Sequence, residues 1–382
     1  MVTAISTVIM FLLMVSLHEF GHFIVGKLTG MEIKEYAIGM GPAIFKKQGK
    51  ETLYSVRILP IGGYCAFEGE DEESDNPRAF SNQSTWKKIA VVIAGSVMNI
   101  ILGFVIFSVI SINSAPFVTN EIASLDQRAY MYQQGVMPGD RIVGINGHGI
   151  NFYRDIKLYS DELSPDENVN ITLKRNGEKF KISIPLSLCE SEIIYGENGA
   201  TRKTLVNGVL EEEHLEYKEG YEVPKEYIGK SVKETSYLMG FSPKTEELSF
   251  FGVIEDAWYN TLFAVRLVYT SLRDMLTGKV GLEQVSGPVG VVDTVNTVVK
   301  SGGGILSILS IAALLTINLG IFNLLPIPAL DGGRLLFLLY ELIFRKKVPQ
   351  DKEGLVHMIG FILLMLIAVV VLFKDVFMII TR

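Results

Sequence analysis

The stretch VTAISTVIMFLLMVSLHEFGHFIVG, residues 2–26, is apolar over most of its length and carries no Lys or Arg. A helix needs ~20 predominantly apolar residues to cross the hydrocarbon core of a bilayer, so this stretch reads as a membrane span. Near its end stand His18, Glu19, Phe20, Gly21 and His22, the pattern H-E-x-x-H. On a helix, positions i and i+4 share a face, so both imidazoles can reach one metal ion. Glu19 lies beside that face and can take a proton from a water whose pKa the metal lowers to about 7. Two histidines and a glutamate inside a span are costly unless they face a polar cavity or a metal. The bland alternative is a pair of histidines hydrogen-bonded between helices. It would leave the Glu19 carboxylate in the membrane with no basic partner in its own span.

Three further segments match the first in length and hydropathy. They run from Ile89 to Ile112, from Ile305 to Leu325 and from Leu355 to Phe373. A buried core helix can imitate one such segment, but hardly four. Apolar residues make up 48% of the 382-residue chain and charged residues 20%, below the ~25% usual for soluble domains. The net charge of −7 argues against a nucleic-acid partner, since phosphate binding needs a basic face. Two cysteines, Cys65 and Cys189, make neither a disulfide framework nor a cysteine zinc site. The apolar N-terminus lacks a basic leader and a small-residue cleavage site, so it reads as a retained span. Short basic loops stay in the cytoplasm. Arg345, Lys346 and Lys347 between spans three and four, and Lys87 and Lys88 before span two, therefore place residues 30–88 and 341–354 inside and residues 113–300 outside.

A catalytic zinc takes three protein ligands and keeps one open position. The third ligand is expected from another apolar segment. Span three ends in Asn323-Leu-Leu-Pro326-Ile-Pro328-Ala-Leu-Asp331-Gly332-Gly333-Arg334. The prolines cannot continue a helix, and non-helical backbone at membrane depth is tolerated where it lines a cavity. Asp331 follows the break, and the two glycines permit close approach of another stretch of chain. Two roles are open for Asp331: N-cap of a helix from Gly332 to Phe344, and metal ligand.

Taken together, these motifs resemble the site-2 protease family, and most closely its bacterial branch, the regulator-of-sigma-factor proteases. H-E-F-G-H and N-L-L-P-I-P-x-L-D-G-G-R carry the resemblance. Gly39-Met-Gly41-Pro42, Leu59-Pro60-Ile61-Gly62-Gly63-Tyr64, Phe80, Ala94-Gly95-Ser96-Val97-Met98-Asn99 and Ser286-Gly287-Pro288-Val289-Gly290 extend it over most of the chain. The resemblance implies Zn2+ held by His18, His22 and Asp331, Glu19 as general acid/base and Asn323 as a contact to the substrate backbone. It implies a multi-pass protein of the bacterial inner membrane. Its substrates would be single-span membrane proteins such as anti-sigma factors or remnant signal peptides. One departure is Ser96, where the family usually carries proline, which bears on where a helix starts there.

The fold expected is a polytopic α-helical membrane protein: four transmembrane helices, a membrane-associated β-hairpin region and an extracytoplasmic β-rich PDZ-like domain. Residues 43–45 and 53–58 read as two short strands around Gln48-Gly49-Lys50. A free edge there can hold an extended substrate by strand addition, as the hairpin of the family suggests, or it can be an ordinary hairpin. Gly135-Val-Met-Pro-Gly139-Asp140-Arg141-Ile-Val-Gly-Ile145-Asn146-Gly147 resembles the core of PDZ domains, and Asn176-Gly177 marks a hairpin. Residues 255–277 read as an amphipathic helix with Trp258, Leu262, Val265, Tyr269, Leu272 and Leu276 on its apolar face, lying on the membrane surface or packed on the outer domain. His148 and His214 are expected in solvent, and His357 at the membrane interface.

The chain divides accordingly into span one (1–29), the hairpin region (30–88), span two (89–112), the PDZ-like domain (113–189), a polar insertion (190–254), an amphipathic helix and connector (255–300), span three with its proline loop (301–343) and span four (344–382). A silent PDZ adaptor is the competing function, disfavoured by the intact H-E-x-x-H and Asp331. A zinc enzyme with a non-peptide substrate is another, disfavoured by the PDZ-like segment.

Overall fold

The computed structural model describes residues 2–70, 72, 74–113, 117–160, 167–196, 199–217, 228–247, 249–279, 281, 287–300 and 304–380. Ser286 of the S-G-P-V-G motif lies outside them. In chain order the elements are α1 (Val2–Leu28), β1 (Ile33–Gln48), β2 (Leu53–Phe67), α2 (Thr85–Asn113), β3 (Phe117–Leu125), α3 (Tyr130–Gln133), β4 (Arg141–Ile145), β5 (His148–Gly149), α4 (Tyr153–Ser160), β6 (Val169–Arg175) and β7 (Glu178–Ile184). There follow β8 (Ser187–Tyr195), β9 (Gly199–Val206), β10 (Val209–Glu216), β11 (Ser231–Leu238), β12 (Phe241–Glu246), α5 (Phe250–Leu276), α6 (Pro288–Lys300), α7 (Ile305–Asn323), α8 (Asp331–Phe344) and α9 (Gln350–Ile380). The chain forms two compact units, one of residues 1–113 with 250–382, the other of residues 114–249.

In the first unit, α1, α2, α7 and α9 are long and apolar enough to cross a membrane. α2 is the hub and packs against α1, α5, α7 and α8. Ser96 sits deep within α2, fully buried, and the helix starts earlier, at Thr85. A serine in place of proline lets the backbone ladder run on unbroken through this position.

The hairpin is more elaborate than two short strands. Residues 35–38 have partners on both sides: Glu35 faces Ala66 and Leu53, and Tyr36 faces Cys65 and Tyr54. Residues 43–48 then pair back with residues 53–57. Each strand bends sharply where Gly39, Gly41 and Gly62 adopt positive φ, a conformation open mainly to glycine. The small sheet rests on α1 through Phe20, Phe23, Tyr36 and Tyr54, and Tyr36 donates to the Ser16 carbonyl at 2.9 Å.

α5 forms over the segment read as an amphipathic helix. Its buried residues are Ala257, Asn260, Thr261 and Ala264, against α2 and α7, while Phe250, Phe251, Ile254, Trp258, Tyr269 and Leu276 are exposed. Small side chains let helix backbones approach closely, so the small face packs, with Val265 and Val268 beside it, while Trp258, Tyr269 and Leu276 turn outward.

The second unit has a sheet of order β12-β3-β4-β6-β7, with β5 paired to β4. Its core contains Ile122, Met131, Ile142, Ile145, Ile171 and Leu173. Asn146-Gly147 and Asn176-Gly177 all have positive φ, as tight turns between antiparallel strands require. The described residues of 190–254, read as a polar insertion, are largely strand. β10-β9-β8-β11 form a second sheet, β12 joins the first, and α5 begins at Phe250. The polar side chains of β9 and β10 pair across strands, Lys203 with Glu212 at 3.0 Å and Arg202 with Glu213 at 3.6 Å. That is how a sequence without an apolar alternation still makes a sheet. His148 stacks on Tyr159 with ring centroids 4.4 Å apart, and His214 is exposed on β10.

Candidate metal centre

α1 carries His18 and His22 one turn apart, and both are buried. Their shared face meets α2 at very close range. A Cβ on Gly21 would lie 2.4 Å from the Ala94 carbonyl oxygen, and a Cβ on Gly95 would lie 2.4 Å from His22 Nε2. Only glycine at both positions lets the helices approach this far. His22 Nδ1 lies 2.8 Å from the Val91 carbonyl oxygen, to which it can only donate. Nε2 of His22 is then a free lone pair aimed at the α1–α2–α8 junction.

Asp331 comes from the far end of the chain. α7 stops at Asn323, and residues 324–330 form a loop closed by Ile327 N–H to the Leu325 carbonyl at 2.7 Å. Ala329 holds φ of 75°, unusual without glycine. Its N–H donates to His357 Nδ1 at 2.9 Å, so α9 braces this strained residue. His357, expected at the membrane interface, accepts this bond from the loop. A Cβ on Gly332 would lie 2.1 Å from the Leu325 carbonyl oxygen, and one on Gly333 2.5 Å from that of Ile327. The glycines thus admit the loop's own backbone, not a distant chain.

The cap of α8 is Leu330, with no side-chain cap bond, and Asp331 is the first helical residue. Its carboxylate goes to the histidines instead. Asp331 Oδ2 is 3.0 Å from His18 Nε2 and 3.4 Å from His22 Nε2, and the two Nε2 atoms are 3.2 Å apart. Tetrahedral zinc with ligands at 2.0–2.1 Å would separate its donors by about 3.3 Å. The donor triangle therefore has the dimensions that such an ion needs. A His-His-carboxylate set also matches the ligand chemistry of catalytic zinc with one position left open.

Asn323 Nδ2 lies 3.3 Å from His18 Nε2, so the end of α7 borders the same centre. Glu19 is half-buried beside it, with no hydrogen-bond partner among the described residues. A Cβ on Gly63 would lie 3.5 Å from Glu19 Cγ, which puts the hairpin against this carboxylate. Arg334 pairs with Glu70 and tethers α8 to the residues after the hairpin. Lys88 and Glu341, 3.4 Å apart, join α2 to α8. All five residues singled out from sequence thus lie in this region. Two contributors went unnoticed: the Val91 carbonyl, which no side-chain motif can announce, and Asn99, whose amide lies 3.3 Å from His18 Nδ1.

The sequence pattern described as peptidase family M50 matches residues 6–367. A candidate zinc metalloprotease of Clostridium acetobutylicum is 34% identical over 97% of this chain and 96% of its own length. Proteins of the same designation from Fusobacterium nucleatum and Clostridium perfringens are 30% and 31% identical, each over at least 97% of both chains.

Proposed function

The chain belongs to peptidase family M50, and on that premise we propose that it is an intramembrane zinc metalloprotease that hydrolyses peptide bonds within or near the spanning segments of other membrane proteins. The observation that carries this reading is the convergence of His18, His22 and Asp331, from helices more than 300 residues apart in sequence, into one donor triangle within the apolar helices. The zinc metalloprotease designation of its relatives supports the choice of ion.

A zinc ion bound there would act as a Lewis acid, polarising the scissile carbonyl and making water nucleophilic near neutral pH. The chain's own residues do the rest. The Val91 carbonyl holds the His22 ring so that Nε2 faces Asp331. The Glu19 carboxylate, without a hydrogen-bond partner among the described residues, takes the proton of the attacking water and returns it to the leaving amine nitrogen. Asn323, beside His18, is placed to donate its amide N–H to a substrate carbonyl.

A helical substrate must unwind before cleavage, because its peptide groups are hidden in the helix. The hairpin supplies an edge for the extended strand so released, and Gly63 brings it against Glu19. By the distribution of Lys and Arg, the centre faces the cytoplasmic side of a bacterial inner membrane, with four crossings. The β-rich unit is then extracytoplasmic, a PDZ-like module that screens or docks single-span substrates.

Glu19→Gln tests the reading. The full chain, reconstituted in lipid with a single-span substrate, should lose about 10²–10⁴ in cleavage rate while keeping its zinc. Undiminished cleavage would leave Glu19 without its role, whereas a wild-type chain that cleaves nothing would favour a silent adaptor.

A further inference from the structure

α2 presents three positions to the two histidines at helical spacing: 91, 95 and 99. The Val91 carbonyl accepts the His22 Nδ1–H, Gly95 clears the space for both rings, and Asn99 stands at His18 Nδ1, 3.3 Å away. Asn99 is completely buried. With Nδ2 turned toward His18, its Oδ1 is buried and has no hydrogen-bond partner among the described residues. The amide's two orientations occupy the same volume, so either Oδ1 or Nδ2 can face the ring.

The ion decides between them. An imidazole that ligates through Nε2 carries its proton on Nδ1 and needs an acceptor there. Resting on the zinc reading above, we propose that Asn99 is a positioning residue for His18. Its amide carbonyl accepts the Nδ1–H and presents Nε2, unprotonated, to the metal. His18 and His22 are then held in the same way, one by a side-chain carbonyl and the other by a main-chain carbonyl of the same helix. Asn99 is itself anchored from the opposite side. Its main-chain carbonyl accepts Thr316 Oγ1–H at 3.4 Å, and its Cβ lies 3.2 Å from where a Cβ on Gly320 would stand. Replacing the Asn99 side chain leaves the Thr316 bond in place.

The test is zinc affinity of the full chain in detergent, measured by competition with a chromophoric chelator, for wild type, Asn99→Leu and Asn99→Asp. Leucine keeps the branching and the number of side-chain heavy atoms and removes the acceptor, while aspartate keeps an acceptor. Asn99→Leu should bind zinc about 10–100-fold more weakly. Asn99→Asp should stay within about threefold of wild type, because its carboxylate accepts the same hydrogen bond. A packing role alone would rank the variants the other way, since a buried carboxylate is the more disruptive change. Equal affinity in Asn99→Leu and wild type, or an equal loss in both variants, would overturn the proposal. Should thermal melts show that Asn99→Leu does not fold, Asn99→Ala takes its place with the same expectation. A wild-type chain that binds no zinc would instead overturn the reading of the centre itself, a result distinct from unchanged binding in the variants.

Discussion

Gly95 shows how tightly single atoms constrain the centre. A Cβ there would lie 2.4 Å from His22 Nε2 and 2.7 Å from His18 Nε2. Gly95→Ala adds one methyl group to a position whose helix propensity it improves, so α2 should still form. The rings must move instead, and donors held about 3.3 Å apart cannot shift far and still share an ion. Gly95→Ala is therefore expected to fold with an unchanged far-ultraviolet spectrum and to lose zinc binding by roughly 100-fold or more, as read by chelator competition. Asp331 makes the complementary point. An aspartate following a break is an ordinary N-cap, yet here the cap is Leu330 and the carboxylate turns to the histidines.

Among the elements, α9 is attached through few points. Most of its surface faces outward, as suits a helix bordering lipid. His357 accepts the Ala329 N–H, Gly360 lies against Pro328, and Asp375 accepts the N–H groups of Gly287 and Gly290 at the start of α6. A Cβ at 360 would lie 2.4 Å from Pro328 Cβ and 2.7 Å from its carbonyl oxygen. Gly360→Leu should force α9 off the proline loop, break the Ala329–His357 bond and loosen Asp331. Overpacking of this kind costs about 1–3 kcal/mol, so a lower thermal midpoint and slower cleavage of a single-span substrate are expected together. A midpoint and rate equal to wild type would show that α9 does not brace the loop. α5 teaches a related lesson. Its apolar stripe reads as a face for the membrane surface or for the outer domain, and it is the small residues that make the contact with α2 and α7.

For the whole molecule, the two units answer to different solvents. The unit of residues 114–249 has its own water-type core and is fastened by a part-buried ion pair, in which Arg175 meets the buried Asp140 at 2.7 Å through two nitrogens. Burial pushes the Asp140 carboxyl up, but the Arg175 guanidinium and the Met137 N–H hold it below the ordinary carboxylate value. A carboxylate depressed in the folded state stabilises fully above its unfolded value of about 3.9, and the contribution disappears as pH falls through the folded value. Hydrogen exchange in β6 and β7 of the full chain should thus accelerate as pH falls below about 4, beyond the intrinsic change in chemistry. Arg175→Met should show faster exchange already at neutral pH and little further loss in acid. An Arg175→Met profile parallel to wild type would show that the pair does not fasten the unit. The sequence alone determined the four apolar helices, the i, i+4 pairing of His18 with His22, the break before Asp331 and the Asn-Gly turn of β6–β7, because hydropathy, helical periodicity and turn chemistry are local properties. The Asn207-Gly208 turn between β9 and β10 was equally local, and it marks strands that the polar composition hid. Only the tertiary structure decided that Asp331 reaches both histidines, that α2 supplies Val91, Gly95 and Asn99 to them, and which face of α5 packs. Those depend on how closely helices distant in sequence approach, and that closeness is set by the sizes of side chains on two surfaces at once.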